Sequence, residues 1–116
     1  MKSVQILKDC ITIQAERGEQ YDKSQTGEYS FAAAANAFNA ATGKALTGSD
    51  VCLMLAMVKL VRQYSIPDRL HSDSVLDGVS YLALWGEELS KELQASSRKN
   101  KPLVCQPAPD NYELGA

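Results

Sequence analysis

Two cations and two carboxylates, placed on neighbouring predicted helices, are the residues best suited to chemistry. Lys59 and Arg62 lie three residues apart, so a helix carries both on one side. Asp73 and Asp77 lie four residues apart and share one face of the next helix. Lysine and arginine donate hydrogen bonds to phosphate oxygens, and carboxylates are ligands that Mg²⁺ accepts. The spacing therefore admits a phosphate site with Mg²⁺.

The same four residues also have a purely structural interpretation. Asp73 stands at a helix start, where a negative charge stabilises the helix dipole. Asp77 would then pair with Lys59 or Arg62, since cations on an apolar helix need either an anionic partner or a path to solvent. Both interpretations remain open at the level of spacing.

Four segments with helical spacing must position these groups. The first starts near Ser3 and ends at Gly18, and its apolar residues recur every three or four positions: Val4, Leu7, Ile11 and Ala15. A polar loop over 18–28 follows. The second segment, about 29–42, is rich in alanine and ends at Gly43.

The third segment starts at 47–50, where Thr47 or Ser49 can cap the helix, and ends near Tyr64, before Pro67. It is apolar nearly all round, which predicts a central helix. The fourth runs from Ser72 or Asp73 to about Gln94 and carries one apolar stripe: Val75, Val79, Leu82, Leu89 and Leu93. The face with Asp73, Asp77 and Tyr81 lies roughly opposite that stripe.

Composition limits the class of protein. The chain has 116 residues, 45% of them hydrophobic and 22% charged, which suits one globular domain. A net charge of −2 argues against non-specific DNA binding. No apolar run approaches the roughly 20 residues of a membrane span, and no secretory signal is visible, so we expect a cytoplasmic protein. Three cysteines and one histidine do not make a zinc site.

These patterns predict an all-α, four-helix bundle-like domain over residues 1–96. Residues 97–116 carry three prolines and few large apolar groups, so we expect a disordered tail. The alanine-rich second helix and the apolar third helix favour a homo-oligomer.

Three motifs resemble those of a family of small tailed-phage and prophage proteins. They are an Arg-Gly-x-x-Tyr loop at 17–21, an Asp-Val-x-x-Met-x-x-x-x-Lys-x-x-Arg helix at 50–62, and an Asp-Ser-x-x-Asp helix ending in tyrosine at 73–81. The resemblance covers about residues 4–90. Two positions differ from the family pattern, since Asp22 and Ser80 stand where it has glycine.

That family is similar to phage nucleotide-modification-associated helical domains and, more distantly, to MazG-like all-α nucleotide pyrophosphohydrolases. In those enzymes acidic clusters bind Mg²⁺ around a nucleoside triphosphate, and basic residues contact its phosphates. The resemblance implies substrate contacts from Lys59, Arg62, Arg17, Tyr21 and Tyr81, and Mg²⁺ ligands among Asp73, Asp77 and Asp50. The third helix lacks the Glu-Glu-x-x-Glu cluster of the pyrophosphohydrolases, so binding is favoured over hydrolysis or phosphotransfer.

The sequence thus predicts a phage or prophage accessory protein of the infected or lysogenic host cytoplasm. It would bind a nucleotide or its phosphates between the third and fourth helices. The alternative is a non-catalytic protein that inhibits a host defence system or host enzyme, or that sequesters a nucleotide.

Overall fold

The computed structural model describes the backbone of residues 1–22 and 30–99 and the side chains of residues 1–17 and 30–96. This part of the chain forms four helices and no strand: α1 Ser3–Asp22, α2 Phe31–Thr42, α3 Gly48–Tyr64 and α4 Ser72–Lys99. The all-α prediction is confirmed. Within the described ranges, no helix has the length and apolar character needed to cross a membrane.

Local capping signals set the ends of α2 and α3. The Thr47 hydroxyl accepts a hydrogen bond from the Asp50 amide at 3.2 Å, and the Asp50 carboxylate accepts one from the Thr47 amide at 2.9 Å. Gly43 ends α2 with a φ of 74°, a left-handed conformation that glycine adopts without steric cost.

The predicted end of α1 was wrong, and α4 extends a few residues beyond its predicted end. α1 continues through Gly18 to Asp22, since one glycine costs a helix only about 1 kcal/mol and no proline follows. α4 reaches Lys99, so residues 97–99 of the predicted tail are helical. The remainder of that tail, 100–116, and residues 23–28 of the predicted loop lie outside the described residues.

α3 and α4 form an antiparallel pair that is linked by polar groups at both ends. The Glu92 carboxylate accepts hydrogen bonds from the Ser49 amide at 2.9 Å and the Ser49 hydroxyl at 2.7 Å, at the start of α3. At the other end the side chain of Gln63 makes two hydrogen bonds to the turn that leads into α4. Its Oε1 accepts from the backbone N–H of His71 at 2.6 Å, and its Nε2 donates to the backbone carbonyl of Arg69 at 2.8 Å. These contacts fix the register of the two helices.

Small side chains, rather than the predicted apolar stripes, occupy the packing faces. The core cluster consists of Phe31, Cys52 and Leu84, and the other buried residues are small: Cys10, Ala35, Gly48, Ser49, Ala56, Ser74 and Ser80. Small residues let helix backbones approach closely, and Ser49 pairs with Glu92 across the gap. α3 contacts both α2 and α4, in agreement with the predicted central helix, but one of its sides is open, since Met54 and Val61 are 63% and 65% exposed.

α1 packs against α4. The Cys10 thiol donates to the Leu76 carbonyl at 3.3 Å, and the Gln14 side chain donates to the Ser80 carbonyl at 3.5 Å, four residues further along both helices. The apolar stripe of α1 faces away from this contact, because Val4, Leu7 and Ile11 are more than half exposed. α2 packs on α3, and Phe31 reaches the core from its first turn.

Replacing Glu92 by alanine should destabilise the fold by about 1–3 kcal/mol, because the buried Ser49 amide and hydroxyl lose their acceptor. Glu87→Ala is the matched control, since Glu87 is exposed and pairs with Lys91 along its own helix. Urea unfolding followed by circular dichroism measures both. Equal effects of the two substitutions would contradict this role of Glu92.

Cys52 should resist alkylation in the native protein. Burial, followed by the nearby charges of Glu88 and Glu92, raises the pKa of its thiol to about 11. About one thiol in a thousand is therefore ionised at pH 8, and none of the side chain is exposed. Iodoacetamide labelling with peptide mapping should modify Cys52 only after urea is added; rapid labelling without urea would show that the core opens readily.

Candidate functional site

A cavity of about 330 Å³ opens between α1, α3, α4 and the start of α2. Its volume is within the range of small-molecule sites, at the lower end. The lining mixes charged, amide, hydroxyl and aromatic groups: Gln14, Arg17, Ser30, Phe31, Lys59, Asp77, Ser80, Tyr81 and Leu84.

Asp77 holds two cations at this cavity. Its Oδ2 lies 3.1 Å from Lys59 Nζ, and its Oδ1 lies 3.2 Å from Arg17 Nη2. The side chains of Asp77 and Lys59 are largely buried, with 18% and 16% exposed, whereas Arg17 is 40% exposed. One carboxylate thus joins α1, α3 and α4 and leaves the trio with a net positive charge.

The two cations keep Asp77 ionised. Partial burial by itself raises the pKa of this carboxyl group, but the hydrogen bond and charge of Lys59, together with Arg17, outweigh it. The net result is a pKa below the ordinary value of 3.8.

Ser80 lines the same cavity, and its hydroxyl group is buried. The residue is 2% exposed, and its Oγ has no hydrogen-bond partner among the described residues. A buried hydroxyl without a partner is costly in a protein interior. Beside it the rings of Phe31 and Tyr81 meet edge to face, with centroids 6.4 Å apart.

The structure brings together four of the residues that sequence analysis proposed. Lys59, Arg17, Asp77 and Tyr81 all line the cavity. Sequence analysis missed Gln14 and Phe31 as site residues and noted Ser80 only as a departure from a motif. No sequence signal marked Gln14, because its position depends on the docking of α1 beside α4.

The other proposed residues lie elsewhere. Arg62 is exposed and makes no ion pair with any described residue. Asp73 is exposed and lines a neighbouring cavity of about 380 Å³ with Arg17 and Asp77. Tyr21 belongs to the last turn of α1, but its side chain is outside the described set.

The three aspartates proposed as Mg²⁺ ligands do not form one cluster. Asp50 belongs to the capping box at the start of α3, nine residues before Lys59, or about 14 Å along the helix. Among the described residues, no three histidine, cysteine or acidic side chains are arranged to hold a metal ion. The structural interpretation of Asp77 is the one observed, with Lys59 and Arg17 as partners instead of Arg62.

Asp77→Asn should lower the free energy of unfolding by about 1–3 kcal/mol at pH 7, because Lys59 loses its buried counter-charge. The folded pKa of Asp77 lies below the unfolded value, so its stabilisation is fully present above pH 3.8 and is lost as pH falls through the folded pKa. Urea titrations at neutral and acidic pH measure this difference.

Asp68→Asn is the matched control for this pH dependence, because Asp68 is exposed in the turn between α3 and α4 and has no ion-pair partner among the described residues. The gap between wild type and Asp77→Asn should persist down to about pH 4 and close below it. A gap that closes near neutral pH, or one that Asp68→Asn reproduces, would contradict the ion-pair account.

Comparison with known proteins gives one relationship. No curated protein and no solved structure matches the chain. A family model described as a domain of unknown function, DUF6378, matches residues 5–89. This range includes the charged residues of the cavity and its tyrosine: Arg17, Lys59, Asp77 and Tyr81. The match covers most of the chain, and the protein therefore belongs to the DUF6378 family.

Proposed function

We propose that this protein binds a nucleotide, through its phosphates, in the cavity between α1, α3 and α4. The observation that carries the proposal is the convergence of Lys59 and Arg17 on Asp77 at the wall of a cavity. Two cations held in place beside an open volume form a site for an anion.

Asp77 positions the two cations without using up their donors. An ammonium group has three N–H donors and a guanidinium group has five, and each group makes one close contact with the Asp77 carboxylate. The remaining donors are available to phosphate oxygens. Since Lys59 is 16% exposed, its charge is partly shielded from water, and this strengthens its attraction for an anion.

The rest of the cavity suits the other parts of a nucleotide. The side-chain amide of Gln14 can hydrogen-bond to a base or sugar. The ring of Tyr81 supplies an aromatic surface. A volume of about 330 Å³ favours a mononucleotide over a larger ligand.

The proposal is one of binding without turnover. Metal-assisted hydrolysis or phosphotransfer needs a group of carboxylates that holds Mg²⁺. The described residues do not fit that requirement, because Asp77 is engaged by two cations and Asp50 lies at the far end of α3. Any effect of Mg²⁺ would therefore come through the phosphates of the ligand.

We place this binding in a phage or prophage accessory protein of the host cytoplasm, for which the motif resemblance is the support. A second candidate is an interaction protein that inhibits a host defence system or enzyme. The observation that favours it is the apolar stripe of α1, where Val4, Leu7 and Ile11 are 56–70% exposed. Sequestration of a nucleotide is a further form of this second candidate, in which the protein holds the nucleotide in the cavity and does not convert it.

Isothermal titration of the full chain should detect binding of pyrophosphate and of ribo- and deoxynucleoside phosphates, with and without Mg²⁺. Lys59→Ala and Arg17→Ala should each weaken binding about 10- to 100-fold, the value of one charge-assisted hydrogen bond. Arg69→Ala is the control, since Arg69 is an exposed cation in the α3–α4 turn and its substitution removes the same charge.

Circular dichroism must show that the variants are folded. Absence of binding by every phosphate compound would refute the proposal and favour the interaction protein. Binding that Lys59→Ala and Arg17→Ala leave unchanged would refute this site.

A further inference from the structure

We propose that a second copy of this chain docks on the outer side of the α3–α4 pair to form a two-fold dimer. The inference does not rest on nucleotide binding, since the residues that carry it are not part of the cavity. It rests on an apolar surface with a defined geometry.

This surface, the outer face, consists of four side chains of α3 and two of α4. Their exposed fractions run from 37% to 80%: Leu53, Met57, Leu60 and Tyr64 on α3, with Leu82 and Leu93 on α4. The α3 residues are spaced by four, three and four positions, which is the spacing of one side of a helix that packs against another helix.

The two helices present these residues on the same side. Leu60 follows directly after Lys59, which contacts α4, and Leu93 follows directly after Glu92, which contacts α3. One residue is a step of about 100° around a helix. Because α3 and α4 are antiparallel, that step turns toward the same side of the pair on both helices.

The opposite side of the pair is the one that α1 and α2 cover. α1 contacts α4 at Leu76 and Ser80. Ser80 directly precedes Tyr81, which packs against the core. A step of one residue backward turns to the side of α4 opposite the one that Leu93 reaches by a step forward, so α1 lies on the side away from the outer face. The chain therefore places one helical layer on one side of α3–α4, and the described residues leave the other side open.

A second copy fits this face by area. Six large side chains about half exposed amount to roughly 600 Å² of accessible surface, against roughly 800 Å² per partner in a standard interface. The half-buried Val75, Trp85 and Leu89 adjoin it and extend this area. An apolar patch of this size is at the upper limit for a monomer.

A second copy also fits by charge and shape. Positions 53, 57, 60 and 64 and positions 75, 78, 82, 86, 89 and 93 carry no charged side chain, so two identical faces meet without repulsion. Gly86 lies on this side of α4, and no atom is within 4 Å of the point where a Cβ would stand. A partner helix can therefore approach the α4 backbone closely.

Sedimentation equilibrium of the full chain over a wide concentration range tests the proposal. Wild type should have twice the chain mass of 12.6 kDa. Leu60→Ala should raise the dimer dissociation constant by about tenfold or more, since truncation of a central apolar contact typically has this effect. Leu60→Glu should give a monomer.

Val58 is the matched control, because it lies two residues away on α3, about 200° around the helix, and is 47% exposed against 50% for Leu60. Val58→Ala and Val58→Glu should leave the dimer intact. A monomeric wild type would overturn the proposal, also if it binds a different protein through this face. Equal loss of dimer in the Val58 and Leu60 variants would overturn it as well. Leu60→Ala keeps the test decisive if Leu60→Glu fails to fold.

Discussion

The pairing of Asp77 with Lys59 and Arg17 is the interaction on which the arrangement of three helices depends. A carboxylate that faces the inside of a helical domain is tolerated only when opposite charge compensates its lost hydration. Here one cation comes from α3 and the other from α1, so the requirement also fixes where these helices lie relative to α4. At the other end of α3 and α4, the Glu92 carboxylate is held by hydrogen bonds from the neutral Ser49 amide and hydroxyl groups instead of by opposite charge.

The choice of small residues for the packing faces has a second consequence. Cys52, Ala56, Ser74 and Ser80 allow close contact, but they bury little apolar area, and Phe31 and Leu84 are the main large side chains of the described core. Large apolar groups remain on the outside of α1, α3 and α4. A single copy thus leaves much of its hydrophobic stabilisation unrealised, which is the physical reason for expecting a partner on the outer face.

The sequence predicted the end of α2 and the start of α3 well because these depend on local chemistry, such as Gly43 after α2 and the capping of α3 by Thr47 and Asp50. It misjudged which helix faces point inward. Apolar periodicity identifies a face that is suited to burial, but it does not say whether the same chain or a partner covers that face. From the spacing, Asp77 was expected to pair with either Lys59 or Arg62, and the structure has the pair with Lys59. Arg17, sixty residues from Asp77, was found only through a motif, since contacts between distant segments leave no periodic signal.

Lys59 and Leu60 show how one helix can serve two surfaces. Lys59 points to Asp77 and the cavity, while Leu60 points about 100° away, to the outer face. A partner on the outer face would therefore leave the mouth of the cavity free, and each protomer would keep its own site. It would also restrict the motion of α3, the helix that carries the more buried of the two cations. Fixing that ammonium group in advance lowers the entropy lost when an anion binds, so dimer formation should favour binding without any contact between the partner and the ligand.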